Sequence, residues 1–157
     1  MPFSSTGFGL IEIIAGTAII SVALVSLVTI SQMSLSVSSE TTSIVQASFL
    51  LEEGAEAIKI LRDSGWGNID SLSKGVPYYF EFSDSKWGTT TVNNYIDGKF
   101  ERSFVVDGVW RDINDDISSS GVFDHNTNKI SVYVSWSGRN GTTTKEIIFY
   151  VTNIFGS

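Results

Sequence analysis

Cysteine is absent from this chain of 157 residues, and histidine occurs only once, as His125. The first absence excludes disulfides, thiolate metal sites and cysteine nucleophiles, and the second excludes most catalytic triads and histidine-rich metal sites. Positive charge is also scarce, since 10 basic residues stand against 17 acidic ones and the net charge is −7. Because nucleic-acid binding requires clustered Lys and Arg, no direct nucleic-acid partner is expected.

The longest stretch without charge lies near the N-terminus. From Phe8 to Ser39 the only charged residue is Glu12, and the next one along the chain is Glu40. Residues 13–33 are mostly Ile, Val, Leu and Ala, and no proline interrupts them. About 20 such residues are enough to cross a bilayer as a helix, so this segment predicts a transmembrane helix.

Two ordinary explanations of this segment account for only part of the pattern. A cleaved secretory signal needs a basic start and a small-residue cleavage site after a short apolar run, whereas residues 1–7 contain no Lys or Arg. A plain single-span anchor leaves Glu12 to be explained by its reaching water at the membrane interface, because a carboxylate inside a span is costly.

A third interpretation explains Glu12 directly. The segment Ser4-Ser5-Thr6-Gly7-Phe8-Gly9-Leu10-Ile11-Glu12, followed by an apolar helix, resembles the cleavage and methylation motif of type IV prepilins and pseudopilins. The resemblance implies that a prepilin peptidase cuts between Gly7 and Phe8 and that the new N-terminus at Phe8 is N-methylated. It also implies that Glu12 acts in assembly, where it would pair with the Phe8 amine of a neighbouring subunit.

The function implied by this resemblance is structural and not enzymatic. The chain would be a subunit of a type IV pilus or related pseudopilus, with other pilin subunits, the membrane and the pilus assembly machinery as its partners. It would begin as a single-pass protein of the cytoplasmic membrane with an extracytoplasmic head, and end in an extracellular or periplasmic filament. The alternative is a membrane-anchored module that binds a carbohydrate or a surface and does not assemble into filaments.

The helix is expected to continue into the head. Apolar residues recur every three or four positions, while Glu52, Glu56, Lys59 and Asp63 lie on another face. The apolar face comprises Ile44, Ala47, Leu51, Ala55, Ile58 and Leu61. A separate helix after a Ser/Thr-rich linker at residues 34–43 is the alternative. The glycine at position 65 predicts the helix end near residues 63–65.

The remainder of the chain predicts a β-rich head. Alternating or apolar runs predict strands at residues 76–82, 100–106, 109–113, 130–136 and 145–152. Asp107-Gly108 predicts a hairpin turn, and residues 138–141 predict another. The expected fold is therefore α+β, with a long N-terminal helix packed on a roughly four-stranded antiparallel sheet. The divisions are a leader at 1–7, a transmembrane or filament-core helix at 8–35, an amphipathic continuation at 36–64 and the head at 65–157.

Neither catalytic residues nor a cofactor is predicted, because no P-loop, GxSxG, HExxH or GxGxxG motif occurs. Two oxygen-rich clusters are compatible with calcium, but such clusters are more often turns: Asp112, Asn114, Asp115 and Asp116, and Asp124, Asn126 and Asn128. His125 is expected in a solvated loop. Four tryptophans either pack in the core or in contacts between subunits, or form a binding surface if they share a concave patch: Trp66, Trp87, Trp110 and Trp136, of which the last is expected to be buried.

Overall fold

One long helix opens the fold. In the computed structural model, which describes residues 9–138 and 141–154, helix α1 comprises Leu10–Ser64. The predicted continuity through residues 34–43 is confirmed. The hydroxyls of Thr41, Thr42 and Ser43 donate to the carbonyls four residues earlier at 2.9–3.0 Å, so these polar side chains are satisfied within the helix itself. The chain divides into two compact units after Ser43.

Helix α1 ends where the sequence predicts. The N–H of Gly65 donates to the carbonyl of Arg62 at 3.1 Å, and Gly65 has a φ of +155°. A short helix, α2, follows at Gly67–Asp70. Asn68 donates its side-chain amide to the carbonyl of Leu61 at 3.2 Å. Because the last carbonyls of a helix have no partner within it, this bond stabilises the end of α1.

Within the described residues, the head contains one antiparallel sheet of six strands. The strands are β1 (Pro77–Ser83), β2 (Lys86–Thr90), β3 (Phe100–Arg111), β4 (Ile117–Ser118), β5 (Val122–Gly138) and β6 (Gly141–Thr152). Their order across the sheet is β2-β1-β3-β5-β6, and β4 lies off this path and pairs with the last two residues of β3, Trp110 and Arg111. The α+β class and the antiparallel sheet are thus confirmed, with six strands where about four were predicted.

The turn predicted at Asp107-Gly108 is wrong. Both residues lie inside β3, which joins the two strands predicted on either side of them. A Cβ on Gly108 would lie 2.5 Å from Cε2 of Phe123, so this glycine makes room for a ring on the neighbouring strand. The pairing of β3 with β5 shifts register between Gly108 and Val109, which adds an irregularity but no reversal of the chain.

A hairpin between β1 and β2 was missed by the sequence analysis. Ser83 pairs with Lys86, so only Asp84 and Ser85 form the turn, with φ values of 50° and 61°. Two-residue hairpin turns need such left-handed backbone and usually contain Asn-Gly or Asp-Gly. At the second predicted turn, β5 ends at Gly138 and β6 begins at Gly141, and these two glycines pair with each other. Residues 139 and 140 lie outside the described residues.

The core lies between the second part of α1 and one face of the sheet. Five of the six residues on the predicted helix face are buried, namely Ala47, Leu51, Ala55, Ile58 and Leu61. The exception is Ile44, which is 38% exposed. From the sheet, the inward positions of β3 and β5 supply most of the other core residues: Phe100, Phe104, Val106, Ile130, Val132, Val134 and Trp136.

Among the described residues, one charged side chain lies within this core. Arg102 is 7% exposed and projects from β3 towards α1. Its Nη1 donates to Oε2 of Glu53 at 2.7 Å and to the carbonyl of Leu50 at 3.2 Å. Its guanidinium lies over the rings of Phe80 and Trp87, with Cζ 5.0 and 5.6 Å from the ring centroids. These contacts offset the cost of burying the charge and connect helix to sheet.

Candidate functional site

The N-terminal end of α1 carries Glu12. Its Oε2 accepts a hydrogen bond from the backbone N–H of Gly9 at 3.1 Å, and its own N–H donates to the carbonyl of Gly9 at 3.0 Å. The side chain of a glutamate at the third helical position often accepts a hydrogen bond from the N–H of the residue just before the helix, which has no partner within the helix. The sequence analysis missed this intrachain role, although the spacing from Gly9 to Glu12 indicates it.

The predicted processing site precedes Glu12 in the chain. Gly7 and Phe8 lie outside the described residues. Cleavage between them and N-methylation of Phe8 therefore stay predictions from the motif. The assembly role of Glu12 also stays a prediction, and the described part of the chain adds only that this carboxylate is exposed and bonded to Gly9.

The helix that follows Glu12 presents apolar side chains on all sides. From Leu10 to Met33 every large apolar side chain is between 55% and 79% exposed. The hydroxyls of Ser21, Ser26, Thr29 and Ser31 donate to carbonyls four residues earlier at 2.7–2.9 Å, so they require no outside partner. By length and composition α1 contains a segment able to cross a membrane, and none of that segment is buried in the described chain. This arrangement is consistent with single-pass anchoring.

The first oxygen-rich cluster in the head forms a turn. Oδ1 of Asp112 accepts the backbone N–H groups of Asn114 and Asp116 at 2.8 and 3.1 Å, and Asp115 has a φ of 68°. Carboxylates that accept neighbouring N–H groups in this way are typical of turns. Among the described residues, no group of three or more acidic or histidine side chains is arranged to hold a metal ion.

Arginine joins the two oxygen-rich clusters. Arg111 Nε donates to Oδ2 of Asp124 at 2.7 Å, and Arg111 Nη1 donates to the carbonyl of Asp115 at 2.7 Å. Burial raises the pKa of Asp124, but the hydrogen bonds from Arg111 and from the N–H of Asn126 outweigh it and hold the pKa below its ordinary value. The bond to Asp124 raises the pKa of Arg111. The Asp124 carboxylate is thus already paired with a cation that the chain itself supplies.

The tryptophans do not share one patch. Trp136 is 2% exposed, which confirms its expected burial, and Trp66 and Trp87 pack against the core. Trp110 differs, because it is 40% exposed and lines a cavity at the edge of β3. His125 lies in β5 and not in a loop, but it is exposed, with its ring 4.8 Å from that of Phe123.

Comparison with known proteins yields no relative for this chain. No family model, no curated protein and no solved structure matches it.

Proposed function

We propose that this chain is a structural subunit of a type IV pilus or a related pseudopilus filament, assembled through the first part of α1. The observation that carries the proposal is the apolar surface from Leu10 to Met33, which is exposed on all sides and contains a single charged residue, Glu12. Such a surface needs lipid or other helices around it, because in water it would aggregate. A filament supplies both environments in succession, first the membrane and then neighbouring subunits.

Processing and location follow from the same proposal. Prepilin peptidase would remove residues 1–7, and Phe8 would become the methylated N-terminus. Before assembly the chain would cross the cytoplasmic membrane once, with its head outside the cytoplasm. The pilus assembly machinery would then move the helix from lipid into an extracellular or periplasmic filament.

Glu12 would have two partners at once in the filament. Its bond to Gly9 uses Oε2, and a carboxylate can accept about four hydrogen bonds, so the same side chain can also receive the Phe8 amine of another subunit. Charges of opposite sign attract strongly where water is excluded, although desolvation offsets much of the gain. The principal effect would be on register, because a wrong stagger would leave the Glu12 charge without its cationic partner.

The experiment that tests this proposal combines processing with assembly. Intact mass and N-terminal sequencing of the membrane-extracted protein should show a chain that begins at N-methylated Phe8. Glu12→Gln retains an acceptor for the N–H of Gly9 but removes the charge, whereas Glu12→Ala removes both. If the charge pairs between subunits, both variants should be processed normally and both should form few filaments.

The outcomes separate the two roles of Glu12. Normal filaments from Glu12→Gln, with failure of Glu12→Ala, would mean that the bond to Gly9 is sufficient. Normal filaments from both variants would remove Glu12 from assembly altogether. A chain that retains Met1 in a host with active peptidase would contradict processing.

The second candidate function is an anchored binding module. It is favoured by one observation, the exposed Trp110 in a cavity of the head. An unprocessed N-terminus together with an absence of filaments would support this function over the first.

A further inference from the structure

The sheet has a gap along one edge of β3. Strand β1 pairs with β3 as far as Val105, and β4 pairs with it only from Trp110 onwards. The N–H of Gly75 still reaches the carbonyl of Val106 at 2.9 Å. Among the described residues, 107–109 have no strand partner on this edge, and a cavity of about 690 Å³ opens there. We call this opening the β3 notch, and its volume lies in the range of sites for small ligands.

Aromatic side chains line the β3 notch. Trp110 is 40% exposed and Tyr150 is 48% exposed, and both border the cavity. The ring of Trp110 meets that of Phe123 at a centroid distance of 5.4 Å and an interplanar angle of 78°, so packing restricts its orientation. A partly exposed aromatic ring held in one orientation offers a flat apolar surface with polar groups around it.

The polar groups of the β3 notch occur as pairs of opposite charge. Lys129 Nζ lies 3.8 Å from Oδ2 of Asp107, and both side chains are more than one third exposed. Lys74 Nζ lies 2.8 Å from Oδ1 of Asn128 and 3.4 Å from Oδ1 of Asp70. Each lysine therefore already has a carboxylate near it, so the notch offers donors and acceptors together without a strong excess of positive charge.

This combination selects the chemistry of a ligand. Adjacent hydroxyl groups can donate to a carboxylate and accept from an ammonium group that lie side by side. A sugar ring also has an apolar face that suits an aromatic ring. An anionic ligand is disfavoured, because both lysines are paired and the whole chain carries a net charge of −7.

We propose that the β3 notch binds an uncharged saccharide, with one ring against Trp110 and its hydroxyls bonded to Asp107 and Lys129. Tyr150, on β6, contacts the same sugar ring or the next one in the saccharide. The site belongs entirely to the head, so the proposal holds whether or not the chain assembles into filaments.

The test uses the full chain in a zwitterionic detergent, because detergents with a sugar headgroup would compete for the site. Saturation-transfer difference NMR would be recorded with cellotetraose, maltotetraose and N-acetylated chitotetraose, and with tetragalacturonate as the charged comparison. We expect transfer to ring protons of at least one neutral tetrasaccharide, with weaker transfer to tetragalacturonate.

Variants then locate the bound sugar. Asp107→Asn retains the shape of the side chain and should weaken binding about tenfold, because bonds to a charged acceptor are the stronger ones. Tyr150→Ala and Trp110→Ala should weaken it by a similar factor. Tyr95→Ala is the matched control, since Tyr95 is 61% exposed but does not line the notch, and it should bind as the unmodified chain does.

Several results would overturn the proposal. These are no transfer to any neutral tetrasaccharide, binding of tetragalacturonate alone, or equal weakening by Tyr95→Ala. If Trp110→Ala loses the folded head because its contact with Phe123 is gone, Asp107→Asn and Tyr150→Ala decide the question. Filament formation is scored separately, so failure here leaves the assembly proposal standing, and failure of assembly leaves this one standing.

Discussion

Gly54 on α1 faces Val132 on β5 at a distance that leaves no room for a side chain. A Cβ on Gly54 would lie 2.9 Å from Cγ1 of Val132, and 3.5 Å from atoms of Arg102 and Phe80. Glycine is a poor helix former, so its presence in the middle of a helix has a packing reason here. It allows the backbone of α1 to approach the sheet closely where the core is formed.

Gly54→Ala should therefore destabilise the head. Overpacking a core costs about 1–3 kcal/mol, and the better helix propensity of alanine recovers up to about 1 kcal/mol of that. The measurement is the Tm of the detergent-solubilised chain, followed by circular dichroism of the sheet. Gly67→Ala is the control, because nothing lies within 4 Å of its added Cβ, and it should leave Tm nearly unchanged. An increase in Tm for Gly54→Ala would show that α1 shifts away without cost.

Substitution of Glu53 should lower the free energy of unfolding more than substitution of Glu56, although both carboxylates form equally short ion pairs. Glu53 lies 2.7 Å from Arg102, which is 7% exposed, whereas Glu56 lies 2.7 Å from Lys59, which is 48% exposed. Glu53→Ala leaves a buried cation without its partner, and because Glu53 itself is half exposed we expect a loss of about 1–2 kcal/mol. Glu56→Ala should lose less than about 0.5 kcal/mol.

The measurement is urea unfolding of both variants under the same conditions. Equal losses in the two variants would mean that water reaches Arg102 and replaces Glu53.

Asp124→Asn should lower Tm in a way that depends on pH. The folded-state pKa of Asp124 is depressed, chiefly by bonds that outweigh the effect of burial. A depressed pKa adds stability above the unfolded pKa of about 3.9 and loses that stability as pH falls through the folded value. The difference in Tm between the two proteins should thus be largest near neutral pH and shrink as the pH falls below about 4.

A double variant checks the cause of this pH dependence. In an Arg111→Gln background, Asp124→Asn should have a smaller effect at neutral pH, because the bond of 2.7 Å between the two side chains is already lost. A full effect in that background would assign the depressed pKa to donors other than Arg111, namely the hydroxyl of Thr127 and the backbone N–H of Asn126.

The turn between β1 and β2 can be improved. Asp84 and Ser85 both have positive φ, which costs free energy in residues with a Cβ. The double substitution Asp84→Asn and Ser85→Gly places the favoured pair in this turn and should raise the free energy of unfolding by roughly 0.5 kcal/mol. Ser83→Gly, inside β1, should lower it instead. A loss of stability in the double variant would mean that Asp84 or Ser85 makes contacts more valuable than a relaxed turn.

The parts of the fold that were predicted correctly have their signal within a few residues of one another. Ala47, Leu51, Ile58 and Leu61 recur at helical spacing and are buried together, and α1 ends at Ser64 as Gly65 predicts. Alternation along β5 likewise places Ile130, Val132, Val134 and Trp136 on one buried face. For these residues the periodicity of apolar side chains was sufficient to predict burial, because side chains on one face of a helix or strand pack against the same neighbouring element.

The parts that were predicted wrongly depend on partners far along the chain. The pair Asp107-Gly108 is typical of a turn, but both residues lie in a strand. The ring of Phe123 on β5 occupies the space where a side chain at Gly108 would lie. Ile44 fits the apolar period of α1 and is nevertheless 38% exposed. The β3 notch arises from where two other strands stop pairing with β3, which no local pattern in residues 107–109 reveals.

The sequence by itself determined the two chemical characters of this protein. The N-terminal segment, in which Glu12 is the only charged residue, forms a helix apolar enough to lie in a membrane. In the head, aromatic and β-branched residues that alternate with polar ones form strands buried on one face. Only the tertiary structure decided that Gly54 lets α1 pack closely against the sheet, that Arg111 pairs with Asp124 and that Trp110 lines a cavity. The physical reason is that the periodicity of apolar residues is a local property, which can be read from a few neighbouring residues of the chain. Close packing and ion pairing instead depend on atoms that folding brings together from distant positions.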